Sequence, residues 1–112
     1  MNVCILGDGL TSLSLAKALI NLDINVDIIS DQKKHKSDKF RTIGLTPSNI
    51  DFFNKNILNI DRLLWRIQKI KIYSDNYQNK ELINFDNKNK HLFSIIRNEE
   101  LHKLLYTNLI QS

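Results

Sequence analysis

The sequence predicts an α/β fold: one parallel strand-helix-strand unit, then a small antiparallel sheet, then a C-terminal helix. Three observations carry it. An apolar run at residues 2–6 breaks into a glycine-rich turn and a stretch with small and apolar residues at helical spacing. Near residue 67 the period changes to strict alternation, and an apolar stripe at helical spacing closes the chain.

The first strand is Asn2-Val3-Cys4-Ile5-Leu6. A run this apolar reads as a parallel strand buried on both faces. It enters the turn Gly7-Asp8-Gly9-Leu10-Thr11-Ser12. Gly7 permits a tight exit from the strand. Gly9, without a side chain, lets a pyrophosphate approach the backbone where the next helix begins and where unpaired amides and the helix dipole favour an anion. The pattern is G-x-G-x-x-S: Ser12 stands where a third glycine is usual, a position that serves helix-to-strand packing, so a small residue suffices. Leu13, Ala16, Leu19 and Ile20 give the helix its apolar spacing, and Asn25-Val26-Asp27-Ile28-Ile29 is the second strand. Strand, glycine turn, helix and strand in this order form a Rossmann-like dinucleotide-binding unit.

Such units place an acidic residue about twenty positions beyond the glycines, where it accepts hydrogen bonds from the adenosine ribose. Here the second strand ends at Ser30, followed by Asp31. Asp31 serves if the strand end shifts by one residue, and Ser30 offers a weaker neutral contact. A neutral Ser30 with Lys33, Lys34, Lys36 and Lys39 would instead suit the 2′-phosphate of NADP, which a carboxylate repels. The lysine-rich stretch also reads as a solvated loop. These alternatives stay open on the sequence.

After the segment Phe40 to Thr46, a helix opens with Thr46 as N-cap and Pro47 at its first position, and carries Ile50, Phe52, Phe53 and Ile57. A short helix is expected from Asp61 to Trp65, with Trp65 as a core anchor. Alternation over residues 67–74 and the run 81–85 predict a hairpin, and Leu92-Phe93-Ser94-Ile95-Ile96 is expected to complete that antiparallel sheet. The last element is an amphipathic helix from about Asn98, with Leu101, Leu104, Leu105 and Leu109 on one face and Asn98 as N-cap.

Composition narrows the function classes. With 112 residues and 42% hydrophobic content, the chain makes one globular domain, residues 1–112, too small for the several βαβ units of a complete dinucleotide-binding domain. The net charge of +4 comes from lysines dispersed among aspartates and asparagines without aromatic interleaving, which argues against a nucleic-acid partner. Cys4, the one cysteine, excludes an intrachain disulfide and reads as a buried apolar residue. His35, His91 and His102 lack metal-ligand spacing, so no metal site is expected. No segment approaches the roughly 18 apolar residues of a membrane span, and the first strand is too short for a signal peptide. A cytoplasmic protein is expected, with peripheral membrane contact left open.

Four segments together resemble a known family. The Gly7-to-Ser12 turn, the run Arg41-Thr42-Ile43-Gly44-Leu45-Thr46-Pro47-Ser48, the strand Ile70-Lys71-Ile72-Tyr73-Ser74-Asp75, and Ile95-Ile96-Arg97-Asn98 followed by Leu101 and Leu105 look like the N-terminal part of the flavin-dependent aromatic hydroxylases. The ubiquinone-biosynthesis hydroxylases, which oxidise polyprenylated phenols, are the most similar branch. The likeness runs in order over nearly the whole chain.

The resemblance implies an FAD-binding protein, with NAD(P)H as reductant in the full-length enzymes. Gly7 and Gly9 would lie at the pyrophosphate, with Leu10, Thr11 and Ser12 completing the cofactor-binding turn. The family's ribose-binding acid aligns with Ser30, a departure that leaves Asp31 as the nearest substitute. Arg41 falls on an arginine that lies against the cofactor, suited to a charge-assisted phosphate contact. Asn98 and His102 fall on polar helix residues beside the FAD, although an N-cap and a solvated helix residue account for them equally. Family members are several times longer, and their later Gly-Asp motif and substrate-binding half have no counterpart here. No catalytic residue is defensible in these 112 residues. The implied protein is an incomplete FAD/NAD(P)-binding domain: a truncated or split-gene product that is inactive alone and acts with a complementary chain or self-associates. A non-catalytic NAD(P)-binding module and a ligand-free remnant or interaction protein are the alternatives.

Overall fold

The computed structural model describes residues 1–31, 41–73, 81–86 and 93–111. Strand β1 (Asn2–Leu6) leads through the glycine turn into helix α1 (Leu10–Asn21), and β2 (Asn25–Ile29) returns parallel to β1. Their register pairs Asn2 with Asn25 and Leu6 with Ile29, and the Asn25 side chain donates to that of Asn2 at 3.2 Å. The predicted βαβ unit is therefore present.

Helix α1 ends through a residue that the sequence does not advertise. Asp23 adopts φ 62°, a left-handed conformation unusual outside glycine. The turn lets the Asp23 amide donate to Ile20 O at 2.9 Å and the Ile24 amide to Leu19 O at 3.1 Å. These bonds satisfy carbonyls that the helix end would leave bare.

The second half differs from the expected hairpin-plus-strand sheet. Strand β3 (Thr42–Leu45) leads into helix α2 (Pro47–Asn56), a single 3-10 turn spans Asp61–Leu63, and β4 (Trp65–Ile67), β5 (Lys69–Tyr73), β6 (Glu81–Asp86) and β7 (Phe93–Arg97) follow before helix α3 (Asn98–Ile110). The hairpin β5–β6 forms as predicted, with Ile72 opposite Ile83. The last strand does not join it. Instead β7 lies between β3 and β4, antiparallel to both, pairing Thr42 with Arg97 and Trp65 with Ile95. The alternating stretch breaks at Gln68, so β4 and β5 belong to different sheets.

The cap of α2 follows the sequence: Thr46 Oγ1 accepts from the Asn49 amide at 3.2 Å, and Pro47 occupies the first turn. The cap of α3 does not. Arg97 stands at the N-cap position without a side-chain bond, and Asn98 is already helical.

The core gathers Leu13 from α1, Ile57 and Ile60 after α2, Ile96 from β7, and Leu101 and Leu105 from α3. Helix α3 packs against α1 and so covers one face of the βαβ unit. No described element covers the other face. Side chains alternate along β1 and β2, so Val3, Ile5, Val26 and Ile28 turn inward while Cys4, Leu6 (78% exposed) and Ile29 (57% exposed) face outward. This corrects the expectation of a strand buried on both faces and of a buried Cys4, because no described element covers that side. Trp65 is likewise no core anchor: it is 62% exposed on β4, with the Arg97 guanidinium 5.6 Å from its ring centroid.

Candidate functional site

The predicted turn has the geometry its glycines imply. Gly7 sits at φ 115°, where an L side chain is strained, and its amide donates to Ile29 O at 2.8 Å, extending the parallel ladder past the end of β1. A Cβ on Gly7 would stand 3.2 Å from Ser12 Oγ. Ser12 therefore packs against the turn, which gives the third position of the motif a steric role and limits it to a small residue.

Gly9 differs from Gly7. Its backbone, at φ −74° and ψ 179°, is one that any residue adopts, yet a Cβ there would meet nothing within 4 Å among the described residues. Neither strain nor packing against those residues demands glycine. Open space at this position, at the N-cap of α1, is what close approach of a ligand to the backbone requires. The first helical bond, Leu13 amide to Gly9 O at 2.9 Å, leaves the amides of Leu10, Thr11 and Ser12 in the first turn, before any carbonyl four residues back can serve them. No acidic residue occupies that first turn, whereas α3 carries Glu99 and Glu100 in its own. The first turn of α1 thus carries no carboxylate of its own, whereas that of α3 does.

A cleft of about 550 Å³ opens beside this turn, at the C-terminal ends of the parallel strands. Asp8, Ser30 and Asp31 supply its polar rim, and Ile28, Tyr106 and Leu109 its apolar wall. Both candidate ribose contacts, Ser30 and Asp31, therefore border one hollow. Asp31 is exposed and Ser30 half-buried. A second hollow of about 520 Å³ lies at the opposite end of β2, by Asp23, Ile24 and Asn25, away from the glycines. Open parallel sheets bind ligands outside the carboxyl ends of their strands, which selects the first cleft.

Helix α3 carries the predicted residues Asn98 and His102, of which His102 reaches the turn. The Asn98 amide donates to Arg41 O at 3.0 Å, joining the two at the start of α3, with the Arg41 residue itself exposed. Asn98 Oδ1 is buried and has no hydrogen-bond partner among the described residues, a costly state for a polar atom that a ligand donor would relieve. One turn on, His102 Nε2 donates to the Asp8 carbonyl at 2.8 Å. A further turn on, Tyr106 stacks on His102 with ring centroids 6.3 Å apart. Asn98, His102 and Tyr106 share one stripe of α3 by their four-residue spacing. That spacing is visible in the sequence; the identity of Asp8 as the partner of His102 is not. The lysines at 33, 34, 36 and 39 lie outside the described residues. Among the described residues no group of three or more His, Cys, Asp or Glu could hold a metal, and no helix is long and apolar enough to cross a membrane.

These donors and spaces fit a dinucleotide such as FAD: an open backbone at Gly9, a helix N-terminus with no acidic residue in its first turn, a cleft rimmed by Ser30 and Asp31, and a buried Asn98 oxygen without a partner among the described residues. No protein-family profile matches the chain, and no curated protein matches it by sequence. Solved structures do. Klebsiella pneumoniae HpxO complexed with FAD and uric acid superposes with a TM-score of 0.74 at 17% identity, over 97% of this chain and 28% of that one. A variant of the same protein complexed with FAD gives a TM-score of 0.77 at 14% identity, over 97% and 29%. The 2,6-dihydroxypyridine-3-hydroxylase from Arthrobacter nicotinovorans gives 0.71 at 11% identity, over 95% and 26%. The chain thus has the fold of part of these proteins and spans under a third of their length.

Proposed function

We propose that this chain is the N-terminal, FAD-binding portion of a flavin-dependent monooxygenase of the ubiquinone-biosynthesis hydroxylase type, and that it does not hydroxylate alone. One observation carries the reading: Gly9, free of strain and of neighbours, leaves the N-terminus of α1 open beside a cleft rimmed by Asp31. The FAD in two of the similar structures supports the choice of cofactor. In this reading the amides of Leu10, Thr11 and Ser12 bind the pyrophosphate, Asp31 or Ser30 accepts from the adenosine ribose, and Arg41 and Asn98 hold the cofactor from the α3 side. The flavin supplies the oxygen chemistry in such enzymes, reduced by NAD(P)H, while the protein positions it and excludes water. The aromatic hydroxylase segments quoted above support the branch.

Titration of the purified chain with FAD, ADP and NADP at low salt tests this. FAD or ADP should bind more tightly than NADP, and Gly9→Val should abolish binding while leaving the circular dichroism spectrum unchanged. A clear NADP preference would favour the NAD(P)-binding alternative, and no affinity for any of the three would leave a ligand-free remnant. NAD(P)H-dependent oxygen consumption by the chain alone would contradict the partial-enzyme reading.

A further inference from the structure

Between Gly7 and Gly9, Asp8 has glycine on both sides, so rotation of the Asp8–Gly9 peptide meets little steric resistance. That peptide matters because it is planar and trans, which points its C=O and N–H in opposite directions. Turned one way, the unit directs the Gly9 amide away from α3; flipped, it would direct a carbonyl oxygen there instead. A carbonyl repels an anion where an amide attracts one.

We propose that His102 is a positioning residue which locks this peptide: by donating to the Asp8 carbonyl across 2.8 Å, it holds the Gly9 amide in the orientation that a dinucleotide pyrophosphate needs. The inference rests on the dinucleotide reading above. A carbonyl only accepts, so Nε2 carries the proton, in the neutral tautomer and in the imidazolium alike. The donor is itself fixed. Leu101 and Leu105, on either side of His102, are buried in the core, Tyr106 stacks on its ring, and the Asn98 amide ties the start of the helix to Arg41. Helix α3 thus acts on the nucleotide turn through one ring, without His102 touching the ligand.

Two variants of similar length separate the hydrogen bond from packing: His102→Met keeps the bulk and loses the donor, whereas His102→Gln keeps a donor at the position of Nε2. Amide hydrogen exchange at Gly7 and Leu13, whose amides donate to Ile29 O and Gly9 O across the turn and are measured without ligand, and ADP affinity by calorimetry are the readouts. His102→Met should speed exchange at these two amides and weaken ADP binding by about tenfold, the scale of one hydrogen bond, and His102→Gln should restore both. Unchanged exchange in His102→Met, or a His102→Gln chain as impaired as His102→Met, would overturn the proposal. Nitrogen-15 spectra of the wild-type ring should show the proton on Nε2; a proton on Nδ1 alone would overturn it even if a variant failed to fold. Absence of ADP binding by the wild-type chain would instead refute the dinucleotide reading, and the ligand-free exchange comparison would still decide whether His102 holds the turn.

Discussion

The side-chain amide of Asn21, the last residue of α1, donates to two carbonyls at the end of α2, Asn56 O at 3.0 Å and Ile57 O at 2.9 Å. One side chain thereby caps a neighbouring helix and joins the βαβ unit to the α2 segment. Asn21→Ala should lower stability by about 1 kcal/mol, since one bond is exposed and the other only partly buried. Asn21→Asp should cost more, because a carboxylate would face two carbonyls with no proton to donate. Urea unfolding midpoints measure both, and an unchanged midpoint in Asn21→Ala would show that the cap is idle.

Asp23 holds φ 62° to let two amides close the end of α1. Glycine adopts that conformation without penalty, so Asp23→Gly should raise stability by about 1 kcal/mol. The measurement is again the urea midpoint, and a destabilised variant would mean that the Asp23 side chain does more than occupy the turn.

The two motif glycines should respond oppositely to a single methyl group. Gly7→Ala combines a left-handed φ with a Cβ 3.2 Å from Ser12 Oγ and should destabilise the fold by about 1–3 kcal/mol. Gly9→Ala meets open space at an ordinary backbone angle and should leave the thermal midpoint in place while weakening ADP binding. Equal thermal losses in the two variants would contradict the division of labour between them.

Asp31→Asn removes a charge-assisted acceptor from the cleft rim and should weaken ADP binding about tenfold while improving affinity for NADP relative to it. If the ranking of the two ligands does not move, the ribose contact belongs to Ser30.

The bare face of β1 and β2 should drive self-association, because Leu6 and Ile29 stand exposed on adjacent paired strands. Sedimentation should show concentration-dependent oligomers that Leu6→Lys shifts towards monomer, with Cys4 in the Leu6→Lys chain labelled rapidly by a maleimide. A wild-type chain that stays monomeric at high concentration would refute this.

What could be read from the sequence was local. Gly7 and Gly9 announce a turn, and Thr46 with Pro47 a helix start, because each acts through its own backbone or a neighbour three residues away. Cys4 and Trp65 were misplaced for a common reason: apolar character shows that a side chain gains from cover, not that an element arrives to provide it. The partner of β7 was missed because β3 is short and carries Gly44 in its middle, so its pairing depends on β7 rather than on its own propensity. Asp8 as the acceptor for His102 was unreadable, since any residue has a carbonyl and only the path of α3 selects this one.

The pairing of Thr42 with Arg97, and the packing of α3 on α1, also set a timetable for a nascent chain. Residues 1–31 leave the ribosome before the rest and can pair β1 with β2, but Leu13 lacks the cover of Leu101 and Leu105 until α3 has emerged and reached it. Contacts this distant in sequence close late. Until then part of the apolar face of α1 lies open on one side of a two-stranded ribbon, with Leu6 and Ile29 exposed on the other. A ribosome-bound holding chaperone would meet it as a client on both sides, and arrested nascent chains ending before α3 should be cut by protease where the full-length chain is resistant.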